Sequence, residues 1–250
     1  MSRPPSSAAG AVAMLGILAA CAGSAKPARR PCPTAAIVIA GQDDVDALAG
    51  CTAAHAITIR TGVALDLVPL ASLATITGDL RVGPSVALDE LRLPGLRSVG
   101  GTIDVASNGD LHGVFFANLE RAGQVAIEGN VALTTISLRR LRAVSGSLVV
   151  SRSGDLELLE LSGLVSVGGE LAVTDNARLT LLELAGLQHV GSLRIANNPE
   201  LPPDFVDGLV DRLGARATPP AVDPATGSAV PPTTPPTTPP TTPPTTPPTP

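Results

Sequence analysis

A pair of apolar residues separated by one position recurs along the chain every 20 to 23 residues. Each pair predicts a short strand with both side chains on one face, since side chains alternate along a strand. A near-constant period of this length is typical of a solenoid, in which a coil buries its apolar face only by stacking on its neighbours. The pairs are Ile37/Ile39, Ile57/Ile59, Leu80/Val82, Ile103/Val105, Val125/Ile127, Leu148/Val150, Leu171/Val173 and Leu193/Ile195.

A second short strand is predicted to follow the first in each coil. Its apolar pairs are Leu91/Leu93, Val114/Phe116, Ile136/Leu138, Leu159/Leu161 and Leu182/Leu184. Glycines precede the first strand and asparagines follow it, which suits tight corners. We expect left-handed turns and an internal ladder at Asn108, Asn130, Asn176 and Asn197 or Asn198. A calcium site in "TDNA" or "SNGD" is the competing interpretation of these corners.

Both ends of such a stack need caps, because an exposed coil would pair with strands of other molecules. The segment "GQDDVDALAGC", residues 41–51, predicts a short helix with an acidic first turn that ends at Gly50. The segment "PPDFVDGLVDRLG", residues 202–214, predicts an amphipathic helix with Phe205, Leu209 and Leu213 on its apolar face. The predicted fold is therefore mainly β: a right-handed β-helix (solenoid) of about eight coils, with a short capping helix at each end.

The two ends of the chain are predicted to lie outside the solenoid. Residues 8–20 are apolar but too short to span a bilayer, and "LAAC", residues 18–21, resembles the lipobox of bacterial lipoproteins. That resemblance implies cleavage before Cys21, acylation of Cys21 and residence in the cell envelope, with Ala22 favouring the outer membrane or cell surface. The alternative is an ordinary signal peptide cut near Cys21. The predicted organisation is a signal peptide at 1–20, a linker at 21–31, the solenoid at 32–216 and a Pro/Thr-rich tail at 217–250.

The chain has three cysteines. If Cys21 carries lipid, Cys32 and Cys51 remain, and an oxidising compartment permits a disulfide between them. Such a bridge would pin the first capping helix over the first coil. Neither His nor Cys completes a four-ligand zinc set with this pair. We expect no metal and no other cofactor.

The tail is of low complexity. Residues 231–250 read "PPTT" four times and then "PPTP", which favours an extended polyproline II conformation. At about 3.1 Å per residue such a segment reaches roughly 60 Å. A solvated spacer, an O-glycosylated stalk and a segment that threads the cell wall are the interpretations left open.

Three features of the chain are shared with a known family: the predicted helix between two cysteines, the phrase "LASLATITGDLRV" at 70–82 and the phrase "NNPEL" at 197–201. Through these features residues 32–215 resemble the receptor L-domain, the leucine-rich β-helix of insulin and epidermal growth factor receptors and of fungal cell-wall proteins. Leucine-rich repeats are the second choice, because "LAVTDNARL" at 171–179 is close to their consensus. The second strand in each coil favours the L-domain, which implies binding of a partner rather than catalysis.

One residue in each strand lies between the two core positions and is expected to face outward. On the first strand these residues are Thr58, Arg81, Asp104, Ala126, Val149, Ala172 and Arg194. On the second strand they are Arg92, Phe115, Ser137, Glu160 and Glu183, beside Glu90, Gly113, Thr135, Leu158 and Leu181. Exposed apolar residues can mark a partner site, although they can also pack into local surface depressions or under a neighbouring loop. The candidate binding face is Arg92, Phe115, Leu158, Glu160, Leu181 and Glu183.

The composition narrows the classes of function. The net charge is −5, and no cluster of Lys and Arg suggests nucleic-acid binding. Coil lengths barely vary, so no long loops frame a catalytic groove, and His55, His112 and His189 lie in different coils at unlike positions. The sequence predicts a non-catalytic, lipid-anchored envelope protein, attached to the membrane by its N-terminal lipid, that binds an unknown protein or polysaccharide. The alternatives are a structural spacer and a β-helix enzyme that degrades polysaccharide.

Overall fold

The computed structural model describes residues 32–213. The predicted signal peptide, the acylated Cys21, the linker and the Pro/Thr-rich tail lie outside the described residues. The helices are α1 (Gln42–Ala47) and α2 (Pro203–Leu213), with a short 3-10 helix at Val68–Ser72. The strands are β1 (Ala36–Ile39), β2 (Ala53–Ala54), β3 (Ala56–Ile59), β4 (Thr75–Ile76), β5 (Leu80–Val82), β6 (Glu90–Arg92), β7 (Ser98–Ala106), β8 (Gly113–Phe115), β9 (Arg121–Glu128), β10 (Thr135–Ser137), β11 (Ala143–Val144), β12 (Leu148–Ser151), β13 (Leu158–Glu160), β14 (Ser166–Thr174), β15 (Leu181–Glu183) and β16 (His189–Ala196).

The eight predicted first strands stack in parallel, in chain order, as one sheet. Their register aligns the predicted core positions of successive coils, which confirms the repeat as a β-solenoid of about seven turns between the eight rungs. One column of that register is Ile37, Ile57, Leu80, Ile103, Val125, Leu148, Leu171 and Leu193.

The second strands form a separate parallel sheet of five, in the order β6, β8, β10, β13 and β15. The expectation of a second strand in every coil is wrong for the first two coils, where α1 and the 3-10 helix follow the first strand instead. The core lies inside the coils, between this sheet and the first. In the segment 179–191 the buried side chains are Leu179, Leu182, Leu184, Leu187 and Val190, none more than 5% exposed. Each fully buried aliphatic side chain stabilises the fold by about 1.5–3 kcal/mol.

Glycines at the corner before the first strand are required by close approach of successive coils. A Cβ at Gly100 would lie 2.3 Å from the Thr77 carbonyl oxygen, and one at Gly168 would lie 2.2 Å from that of Ser145. The strand registers shift at these same corners. The expected glycine corners are therefore confirmed, and their cause is steric space between backbones.

The asparagines after the first strand form the expected ladder inside the coils. The Asn130 Oδ1 accepts hydrogen bonds from the Asn108 Nδ2 (2.9 Å) and backbone N–H (3.1 Å), and the Asn176 backbone N–H donates to the Asn198 Oδ1 at 3.0 Å. In the coil between them, Ser153 takes the ladder position and donates its backbone N–H to the Asn176 Oδ1 at 3.1 Å.

The expectation of left-handed turns at these asparagines is wrong for Asn108, Asn130 and Asn176. The positive φ falls on the preceding residue, because the asparagine itself turns inward to join the ladder. The residues with positive φ at this corner are Ser107, Gly129, Arg152, Asp175 and Asn197, with φ of 54° to 63°.

A second expectation is also wrong: Ala172, predicted to face outward, is only 6% exposed. Its side chain is a single methyl group in register between Val149 and Arg194, and these longer neighbours cover it. Gly113 on the second strand is buried as well.

Both predicted caps are present. In α1, Val45 is buried and the Asp44 carboxylate accepts hydrogen bonds from the backbone N–H groups of Ala40 and Gly41. Cys32 and Cys51 form the expected disulfide beside this helix. In α2, Leu209 is 3% exposed and packs on the last coil. Within residues 32–213, neither helix is long and apolar enough to cross a membrane.

Candidate functional site

The outer side of the five-stranded sheet carries all six residues of the candidate binding face. The parallel register places Arg92, Phe115, Ser137, Glu160 and Glu183 in one row. A second row holds Glu90, Gly113, Thr135, Leu158 and Leu181. We call these two rows the second-sheet face. Because every strand in it has the same length and register, the face is regular.

Phe115 is covered at one end of this face. Its ring lies against Gly113, where a Cβ would approach the Phe115 Cε2 to 2.2 Å. The Arg92 guanidinium carbon sits 4.1 Å from the ring centroid, a cation–π arrangement. Arg92 also forms an ion pair with Glu90, and the hydrogen bond from Arg92 lowers the pKa of the Glu90 carboxyl. Phe115 is therefore covered on one face by Arg92 and lies with one edge against Gly113.

The other end of the face is apolar and open. Leu158 and Leu181 are register neighbours on β13 and β15. Leu158 is half-buried, whereas Leu181 is 49% exposed, which is high for a large aliphatic side chain. Together they form an apolar pair at the edge of the sheet.

Glu160 is held by an ion pair. The Arg139 guanidinium donates from Nε to Glu160 Oε2 (2.8 Å) and from Nη2 to Oε1 (3.1 Å), a bidentate contact. These hydrogen bonds, and one from Ser137, lower the pKa of Glu160. Its register neighbour Glu183 has no side-chain hydrogen bond or ion pair within the part of the chain that the structure describes. A general acid needs a raised pKa, so Glu160 is poorly suited to that role.

The histidines do not converge. His112 Nδ1 lies 2.7 Å from Asp89 Oδ1, and His55 Nδ1 lies 3.1 Å from Thr77 Oγ1, in separate coils. Among residues 32–213, no group of three or more His, Cys, Asp or Glu side chains is placed to hold a metal ion. At the "TDNA" corner, Asn176 is committed to the ladder, and the Asp175 carboxylate accepts a hydrogen bond from Asn197 Nδ2 at 2.7 Å.

One feature was missed by sequence reasoning. Three arginines of a single corner, Arg139, Arg140 and Arg142, line a cleft of about 650 Å³ together with residues from the preceding coil and the next two coils. We call this the arginine cleft. The signal was the run "LRRLR" at 138–142, where the equivalent corners read "LSGLV" and "LAGLQ". Aligning coils for unlike residues, rather than for shared ones, would have found it.

A further cleft, of about 590 Å³, lies between β15 and α2. Arg212 in α2 donates from Nη2 to the Leu184 carbonyl oxygen at 2.7 Å, next to the last strand of the second sheet. This contact ties the capping helix to the end of that sheet, which otherwise offers an unpaired strand edge.

Fold and geometry together define a β-solenoid protein with a regular outer sheet face and an arginine-lined corner. Comparison with known protein families, with curated proteins and with solved structures finds no match.

Proposed function

We propose that this chain is a non-catalytic, lipid-anchored protein of the bacterial cell envelope that binds a protein partner through its second-sheet face. The observation that carries the proposal is an apolar pair on a regular sheet face, formed by the half-buried Leu158 and the exposed Leu181. A surface of this kind, flanked by the carboxylates Glu160 and Glu183 on the same two strands, resembles the apolar centre and polar rim of protein interfaces.

A protein partner is favoured over a glycan by the state of the aromatic residue. Carbohydrates bind proteins largely by stacking on open aromatic rings, and Phe115 is the one aromatic residue of this face. The Arg92 guanidinium covers one face of its ring, and one edge of the ring lies against Gly113. Aliphatic side chains such as Leu158 and Leu181 fit an apolar patch of another polypeptide better.

The anchoring part of the proposal rests on sequence resemblance. The lipobox-like "LAAC" at 18–21 supports acylation of Cys21. The Cys32–Cys51 disulfide is consistent with folding in an oxidising compartment, since such bonds are rare in the cytosol. The resemblance of residues 32–215 to the receptor L-domain supports a binding role.

Catalysis is disfavoured by the chemistry of the face. Its two adjacent carboxylates differ from a hydrolytic pair because Glu160 is tied to Arg139 and its pKa is lowered. The competing function is a passive spacer, which would present this face to solvent without a partner.

The binding proposal is tested by comparing capture of envelope proteins on wild type and on the Leu181→Asp variant. A carboxylate buried against an apolar partner is costly, so we expect capture of a specific partner to weaken by about tenfold or more. Val131→Asp is the matched control, because Val131 is 62% exposed and lies off the face. Circular dichroism checks that all three proteins are folded.

Two outcomes would contradict the proposal. Equal capture by wild type, Leu181→Asp and Val131→Asp would show that the second-sheet face is not the binding surface. Capture of no protein by the wild type at high concentration would favour the spacer, and retention of an envelope polysaccharide instead would favour a glycan ligand.

A further inference from the structure

The arginine cleft is built at the corner that joins the second sheet to the next coil. Arg139, Arg140 and Arg142 lie between β10 and β11. The equivalent corners of the next two coils lie between β13 and β14 and between β15 and β16, and both line the same cleft. Glu120, from the equivalent corner of the preceding coil between β8 and β9, lines it too. The cleft thus spans four coils along one edge of the solenoid, beside the second-sheet face and not on it.

The cleft is open because the position that Arg140 occupies in one coil is taken by a glycine, which has no side chain, in each of the next two coils. Gly163 and Gly186 follow Arg140 in the equivalent position of the next two coils. A Cβ at Gly163 would lie 2.2 Å from the Arg139 carbonyl oxygen, and one at Gly186 would lie 2.8 Å from that of Ser162. Close stacking of the coils therefore requires glycine at both positions. Because glycine has no side chain, an open space of about 650 Å³ remains next to the guanidinium groups.

The positive charge beside this space is only partly neutralised. Arg139 is paired with Glu160, whereas Arg140 donates to the neutral Asn118 Oδ1 at 3.0 Å. Arg142 has no side-chain hydrogen bond or ion pair within residues 32–213. The one carboxylate that lines the cleft, Glu120, lies 3.7 Å from Arg97 on its other side.

We infer that the arginine cleft binds a small ligand that carries two or more oxyanion groups, either phosphate or carboxylate. The planar guanidinium of Arg140 and that of Arg142 each present paired N–H donors that match such groups in a bidentate manner. Gln188, exposed on the far side of the cleft, adds an uncharged amide donor. The volume falls in the range of ordinary small-molecule sites.

Two probes distinguish the chemical sources of the oxyanion. Inorganic pyrophosphate and citrate are titrated separately into the full chain at low ionic strength, and binding is followed by calorimetry. Saturable binding of pyrophosphate assigns a phosphate ligand, and saturable binding of citrate assigns a carboxylate ligand. Binding of either probe should weaken as sodium chloride is added, because salt screens exposed charges.

The variants separate a built site from general attraction of anions. Arg142→Gln should reduce the affinity by about tenfold, as loss of one charge-assisted bidentate contact implies. Gln188→Glu, which keeps the size of the side chain and removes no arginine, should reduce it by a similar factor. Arg194→Gln, on the first sheet and outside the cleft, should leave the affinity unchanged.

The inference is overturned if neither probe binds saturably to the wild type. It is also overturned if Arg194→Gln weakens binding as much as Arg142→Gln does, since the attraction would then belong to the whole surface. Because this cleft is separate from the second-sheet face, Leu181→Asp should not change the affinity for either probe. A negative result here therefore leaves the proposed protein-binding function standing.

Discussion

At the scale of single residues, the interior of this solenoid depends on a few buried polar side chains. Asn108, Asn130 and Asn176 are fully buried, and each amide donates a hydrogen bond to a carbonyl oxygen of an earlier coil: Val82, Val105 and Val150 respectively. Buried polar groups stabilise a fold only when their hydrogen bonds are made. The ladder therefore aligns adjacent coils as well as filling their corners.

Replacing one ladder residue should be costly. In Asn130→Ala, the Asn108 N–H and the Val105 carbonyl each lose a hydrogen bond in a buried site, so we expect a loss of about 2–4 kcal/mol in the free energy of unfolding. Asn118→Ala is the control, because the Asn118 amide contacts Pro94 at the half-buried outer corner. That change should cost less than about 1 kcal/mol. Urea unfolding of both variants measures the difference, and equal costs would contradict a special role for the ladder.

At the scale of elements, the two ends of the stack are closed by different means. At the far end, α2 packs Leu209 on the last coil, and Arg212 holds the Leu184 carbonyl. At the near end, α1 has only six residues and contributes little by itself. The Cys32–Cys51 disulfide supplies the constraint that this short helix cannot.

Removal of the disulfide should therefore loosen the near end of the solenoid. The bridge closes a loop with a sequence separation of 19 residues, for which the chain-entropy estimate is about 3 kcal/mol. We expect Cys32→Ser to lower the thermal midpoint, and a thiol reductant to lower that of the wild type to the same value. The comparison is made in a Cys21→Ala background, so that Cys32 and Cys51 are the only cysteines of the parent protein. If reductant leaves the wild-type thermal midpoint unchanged, the disulfide does not stabilise the near end of the solenoid.

At the scale of the whole molecule, the proposed anchor and the solenoid have separate tasks. Acylation at Cys21 would hold the chain at a membrane, while residues 32–213 present the second-sheet face and the arginine cleft along one side of a stacked, regular body. In such repeat structures each coil contacts only its neighbours, so surface features on different coils can change without disturbing the core.

The anchor is tested on whole cells. We expect the wild-type chain to incorporate labelled palmitate and to partition into detergent, because an acyl chain adds about 0.8 kcal/mol per buried methylene group. The Cys21→Ala variant should lose both properties. Absence of label on the wild type would contradict the lipoprotein assignment without bearing on the solenoid fold.

Most of the scaffold could be predicted because the core residues of a solenoid recur in the sequence at a nearly fixed period. The period located the strands, the alternating pairs identified their buried face, and the apolar spacing of Phe205, Leu209 and Leu213 located the second cap. The row of candidate residues on the second strand also followed from this register. The burial of Ala172 and four of the five left-handed corner residues were missed, since both depend on which side chains of neighbouring coils cover or bond to them.

By itself the sequence determined the coil repeat, the inward face of each strand, the two caps and the cysteine pair available for a bridge. Only the tertiary structure decided which side chains of different coils contact one another. Arg139 binds Glu160, and Arg92 covers Phe115. Gly163 and Gly186 leave a cleft open beside Arg142. The reason is physical. Burial of apolar residues follows a periodic pattern that a chain carries locally, whereas ion pairs, covered rings and clefts arise from the contacts between coils that stacking creates.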